Sequence, residues 1–165
     1  MFNPVEWFSN LGPEWATFLI SMIPITELRA SIPIAIEVYK LPVWQAWLLA
    51  VCGDMLPAVF ILFFAPYAHK WVLGHHFLGI FFDRMLSRAE RAFSGKYARY
   101  GALALVIFVG IPLPLTGSWT GSLAAFVFNI PFKKSFFLIL AGVAIAASLV
   151  TFITLFAGST LRWLL

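Results

Sequence analysis

Proline and glycine fall in the same order twice in this chain. In residues 23–64 and 111–156 an Ile-Pro pair is followed by a second proline and then by a glycine that opens a long apolar run. Pro24 and Pro42 are 18 positions apart, Pro112 and Pro131 are 19, and Gly53 and Gly142 each follow the second proline by 11. A proline inside a helix removes a hydrogen bond, so each one marks a place where a helix starts, ends or bends. Two units punctuated alike predict a duplicated helical architecture, the construction of many membrane carriers.

The surroundings of these units decide the solvent. Hydrophobic residues make up 62% of the 165 and charged residues 11%, more apolar surface than a soluble core of this size can hide. Lipid is the expected solvent, with no room for a separate soluble domain. The first thirty residues do not read as a cleavable signal, because Glu6 and Glu14 stand where basic residues would be needed. The single cysteine, Cys52, reads as a small buried hydrophobe and excludes a disulfide framework.

Lengths then shape each unit. Between Ala16 and Pro24 there is room for a helix of about 12 Å, and from Ala102 to Pro112 for about 15 Å, both short of a hydrocarbon core about 30 Å thick. The expectation is a re-entrant hairpin in each unit, returning near Lys40-Leu41-Pro42 and Asn129-Ile130-Pro131. A full span follows each one, at residues 43–65 and 136–157. Broken backbone at membrane depth must be buried in protein or face a polar cavity, so the two hairpins should meet. A hairpin returns to its own side, so each unit crosses once and the second is inverted relative to the first. The predicted fold is therefore an all-α integral membrane protein forming one domain. Repeat one covers 16–65, a linker 66–100, and repeat two 101–158.

Charge sets the orientation. The linker holds Lys70, Arg84, Arg88, Arg91, Lys96 and Arg99, and Lys133 and Lys134 fall on the same side. Only Lys40 and Arg162 lie opposite, which places the linker in the cytoplasm of a multi-pass inner-membrane protein. Phe77, Ile80, Phe81 and Met85 share a helical stripe beside Arg84, Arg88 and Arg91, predicting a basic amphipathic linker helix. A patch between membrane segments argues against nucleic acid as a partner. His69, His75 and His76 lack carboxylates or cysteines at ligand spacing and read as interfacial residues, with no metal site.

Glu27, Arg29 and Asp54 are ionisable groups at expected membrane depth, each at a cost of about 2.5–3.5 kcal/mol on insertion scales. Thr26 reads as the N-cap of a helix opening at Glu27, and Thr116 or Ser118 as its counterpart before Trp119 and Thr120. Arg29 and two helix N-termini would suit an anionic group, and Glu27 or Asp54 a transferable proton. The plainer alternative is a structural Glu27–Arg29 pair, with Asp54 bonding between helices and the Gly117 to Ser122 stretch serving only close packing. Trp119 reads as either a plug in a cavity or a packing anchor. Leu115 and Gly117 stand at the aligned positions of the second unit, so a hairpin can be built without the ion pair. No catalytic signature or cofactor motif is present, and an enzyme is the weakest class.

The stretch Ile23-Pro24-Ile25-Thr26-Glu27-Leu28-Arg29-Ala30-Ser31-Ile32-Pro33 resembles the "IP–ELRGAIP" signature of the putative small multidrug export family. Residues 112–125, from Pro-Leu-Pro-Leu-Thr-Gly-Ser-Trp onward, resemble that family's "PLPGTGAWTGSLAA" block, with Leu115 in place of Gly and Ala30-Ser31 in place of Gly-Ala. Where the family commonly has Gly-Asn before the proline this chain has Gly53-Asp54, so no asparagine role carries over. The family is similar to the wider DedA/VTT group. That resemblance implies paired re-entrant hairpins with inverted symmetry, lipid substrates including polyprenyl phosphates, and dependence on the proton-motive force.

The expected activity is transport of an anionic lipid or small molecule coupled to protons, with membrane lipids as surroundings. The alternatives are a non-transporting scaffold and a passive scramblase or channel. Gly142, Ala146 and Ala147 are the expected contact stripe of a homodimer.

Overall fold

The computed structural model describes residues 11–73, 97–112, 117–128 and 130–164, and these are helical with no strand among them. The expected linker helix, Thr116, His75 and His76 lie outside the described residues. Among the described residues six helices follow in order: α1 (Pro13–Met22), α2 (Glu27–Pro33), α3 (Val43–Leu73), α4 (Tyr97–Gly110), α5 (Ser118–Val127) and α6 (Phe132–Leu164). Helix α2 continues into a π turn over Ile34–Val38. Helix α3 thus runs past the expected end of repeat one, and α4 begins four residues before repeat two was expected to start.

The prolines act as punctuation should. Pro13 occupies the first turn of α1, where its missing N–H is no loss. Ile23, forced away from helical geometry by Pro24, is extended at φ −77°, ψ 127° and ends α1. Pro33 cannot donate within α2, and the chain widens into the π turn just after it. Lys40 then turns at φ 57°, and the Leu41 N–H reaches back to the Ala35 carbonyl at 2.9 Å. The carbonyls of Pro42 and Pro131 accept the first bonds of the long helices, from Ala46 at 3.0 Å and Ser135 at 2.9 Å.

Two stretches, Val43–Phe64 and Phe132–Phe156, are long and apolar enough to cross a membrane. Only 44% and 39% of their most apolar windows are buried, whereas a soluble protein's core helix would be mostly covered. Phe60, Phe63, Phe64, Ile145, Phe152, Ile153 and Phe156 all face outward. Cys52 is exposed on α3, contrary to the buried position expected of it: it lies on the outward side of the helix from its neighbours Gly53 and Asp54. Several hydroxyls are silenced within their own helix. Thr17, Ser122, Thr151 and Thr154 each donate to the carbonyl four residues back, at 2.7 to 2.8 Å.

Packing is reciprocal. Helix α1 lies against α3 and α4 against α6, each along the long helix that follows it. The next helices cross over, α5 onto α3 and α2 onto α6, while α3 and α6 also touch. The two signature glycines sit where the first arms press closest. A Cβ on Gly53 would overlap the Phe18 carbonyl and the Ser21 hydroxyl. A Cβ on Gly142 would lie 2.7 Å from Val109 Cβ and 3.0 Å from the Val106 carbonyl. Phe18 and Val106 each precede their Ile-Pro proline by six residues, so the duplicated spacing is also a duplicated contact.

Gly142, Ala146 and Ala147 are buried within the chain, which corrects their assignment to a dimer interface. Small residues let helices approach within one chain as readily as between two, and here α4 already fills that space. Gly53→Ala and Gly142→Ala should each lower stability by about 1–3 kcal/mol through overpacking. Thermal unfolding in detergent checks this, with the larger loss at Gly53, where backbone rather than a side chain must yield.

Candidate functional site

The break between α1 and α2 places charge in the protein interior. Glu27 opens α2 with a left-handed φ of 44°, uncommon for a residue with a side chain. Its N–H bonds the Ile23 carbonyl at 2.9 Å, and its side chain turns inward to only 3% exposure for the residue. Arg29 Nη2 donates to Glu27 Oε2 at 2.7 Å, with the arginine side chain 23% exposed. The ion pair is thus made within one turn of backbone and can form before the rest of the site closes.

Thr26 does not cap α2. Its hydroxyl donates to the Ile20 carbonyl at 2.7 Å, closing the end of α1 instead. The reason is local: the extended Ile23 brings the chain back over the last turn of α1, where the Ile20 carbonyl accepts the Ile23 N–H at 3.3 Å and still has a lone pair for the hydroxyl. Trp119 Nε1 donates to another carbonyl of that turn, that of Met22, at 3.2 Å. Of the two roles open to Trp119, the anchor is the one with a recorded bond.

Helix α5 supplies the opposite wall. Gly117 is its N-cap, and a Cβ there would fall on the Glu27 carboxyl group. The carboxylate therefore lies beside the positive end of the α5 dipole, a favourable position for negative charge. Ser118, expected as a possible cap, is the first helical residue, and its hydroxyl donates at 2.9 Å to the Asp54 carbonyl on α3. Thr120 bonds the Gly117 carbonyl at 3.1 Å, within its own helix.

Asp54 completes the cluster. It is 1% exposed, and its Oδ1 has no hydrogen-bond partner among the described residues. A buried polar atom without a partner is uncommon and calls for an explanation, of which a proton-carrying role is one; Ser31 Oγ and Tyr39 OH are the other two such atoms among the described residues. Glu27, Arg29, Asp54, Gly117 and Ser118 line one cavity of about 10 Å³, with Val109, Val143 and Ala146 also in its lining. That is space on the scale of one water molecule. Thr26, Trp119 and Thr120 are not in its lining, and Trp119 instead borders an open apolar pocket with Met22, Leu56, Pro57, Phe60, Ile61 and Phe64.

A model of the putative small multi-drug export protein family matches residues 27–149. The chain belongs to this family. The match begins at Glu27 and takes in Asp54 and Ser118, so all the lining of the cavity falls within it. No curated protein and no solved structure matches the chain. Family membership, together with two outward-facing apolar helices, makes this a membrane protein, and the family's name suggests export.

Sequence reasoning found Glu27, Arg29 and Asp54 because charge in an apolar run is conspicuous. It did not find the Ser118–Asp54 bond, which joins residues 64 apart, nor the seating of Glu27 against Gly117. The glycine itself was a signal, since a residue without a side chain often marks a close approach.

Proposed function

We propose that this protein is a small proton-coupled carrier or lipid translocase that moves a substrate with an anionic, phosphate-like group. One observation carries the reading: the unpartnered Asp54 Oδ1 beside the buried Glu27–Arg29 pair, where α2, α3 and α5 meet. A purely structural cluster has no need of an unpartnered carboxyl oxygen, whereas a coupling site needs an acceptor that is empty in one state. Arg29 offers the charge for an anion, and Glu27 and Asp54 offer proton acceptors.

In the architecture we propose, α1 with α2 and α4 with α5 are re-entrant hairpins, and the two units are inverted repeats in an inner membrane with a cytoplasmic linker. The reciprocal packing of arms on long helices and the matched glycine contacts support that reading. The same features are what a likeness to the DedA/VTT group implies.

Reconstitution into liposomes tests the function. A labelled polyprenyl phosphate should cross the bilayer faster under a pH gradient, and Glu27→Gln should abolish that transport. Flux indifferent to both would indicate a passive scramblase. A scaffold is the reading favoured by the completed Glu27–Arg29 bond, and it predicts no flux together with a loss of stability in Glu27→Gln.

A further inference from the structure

A phosphate-sized group cannot enter a cavity of about 10 Å³. The place an anion would want is already taken: the Glu27 carboxylate bonds Arg29 Nη2 and lies against Gly117 at the start of α5. We infer that Glu27 is an internal stand-in for the substrate's anionic group, and that the substrate binds only together with one proton. This rests on the anionic-substrate reading above and adds the order, sign and stoichiometry of coupling.

The charge count of the cluster gives the stoichiometry. Among the described residues that line the cavity one cation, Arg29, serves two carboxyl groups, Glu27 and Asp54, and the rest of the lining is uncharged. Buried charge is tolerated when paired, so the resting cluster holds one proton, on the carboxyl that Arg29 does not serve. The unpartnered Asp54 oxygen is the natural seat for it. When an anion takes Arg29, Glu27 loses its partner while still walled by protein. It becomes neutral by taking a second proton, then leaves the mouth of α5. The net gain is one anion and one proton, with no change in the charge of the site. This is symport rather than exchange.

The groups facing Glu27 leave this count intact. From α3 the titratable neighbour is Asp54. Helices α4, α5 and α6 present Val109, Ser118, Val143 and Ala146, none of which titrates near neutrality. On its own element Arg29 is the partner, and Glu37 is paired with Lys40 at 3.7 Å at the far end. Helix α1 carries Glu14 only in its exposed first turn, and residues 113–116 contain no ionisable side chain.

Calorimetric titration of the full chain in detergent with dibutyl phosphate is the test. This phosphodiester keeps a single charge near neutrality, so any proton change belongs to the protein. Repeating the titration in buffers of different ionisation enthalpy counts the protons. The wild type should take up about one proton per anion bound, and its affinity should fall about tenfold for each unit rise in pH on the alkaline side. Asp54→Asn should keep the Glu27-linked uptake. Glu27→Gln combined with Asp54→Asn, which leaves Arg29 no carboxylate to pair with, should bind the probe more tightly at alkaline pH, with no proton uptake and a flat pH profile. Binding without proton uptake in the wild type, or equal uptake in the double variant, overturns the stand-in role and leaves the anion site standing. Absence of binding in both proteins overturns the anion site and the stand-in role together.

Discussion

Arg29→Leu should be among the most destabilising single changes in the chain, by about 3 kcal/mol, the lower end of what breaking a buried ion pair costs. The lower end applies because the arginine side chain is 23% exposed while that of Glu27 is 4% exposed. The loss comes from the partner left behind: a carboxylate walled in by Gly117, α3 and α6 with no cation to answer it. The deficit should therefore be greatest at alkaline pH, where Glu27 stays ionised, and shrink as the pH falls and it can accept a proton. Adding Glu27→Gln to Arg29→Leu should recover most of the stability, since both partners are then neutral. Chemical unfolding in detergent of both single variants and the double variant measures the coupling. A double variant no more stable than Arg29→Leu alone would show that the arginine acts through packing rather than through the carboxylate.

Gly117→Val should remove transport almost entirely, by about 100-fold or more, with a stability loss of about 1–3 kcal/mol. Backbone strain is not the cause, because Gly117 lies at φ −81°, open to any residue. The cause is the Cβ, which falls on the Glu27 carboxyl and displaces it from Arg29. Pairing Gly117→Val with Glu27→Ala separates the two effects. The double variant should regain stability, as the overlap is gone, and stay inactive, as the carboxyl is gone too. Flux in liposomes and unfolding in detergent read the two outcomes.

What the sequence disclosed follows from how local each constraint is. Pro24, Pro42, Pro112 and Pro131 act on their own backbone, so helix ends could be placed from spacing alone. Gly53 and Gly142 were visible as a repeat, though what they touch was not. Thr26 looks like a cap in any alignment of letters, and only the extended Ile23 directs its hydroxyl to Ile20. Gly142, Ala146 and Ala147 pointed to a helix contact, but a stripe of small residues does not specify whose helix fills it. The left-handed Glu27 and the bond from Ser118 to Asp54 depend on three helices assembling, and nothing within a window of ten residues announces either.

The crossing of the arms bears on how such a protein is made. Helix α2 rests on α6, which is synthesised long after it, and α5 rests on α3. A ribosome therefore delivers Glu27 and Arg29 to the bilayer well before Gly117, Val143 and Ala146 exist to enclose them. During that interval the charges have only each other, joined across two residues of the same turn. Pairing within one turn spares each charge from standing alone until the second half arrives. Neither half is a finished object alone, and a gene cut between them should yield function only when both fragments enter the same membrane.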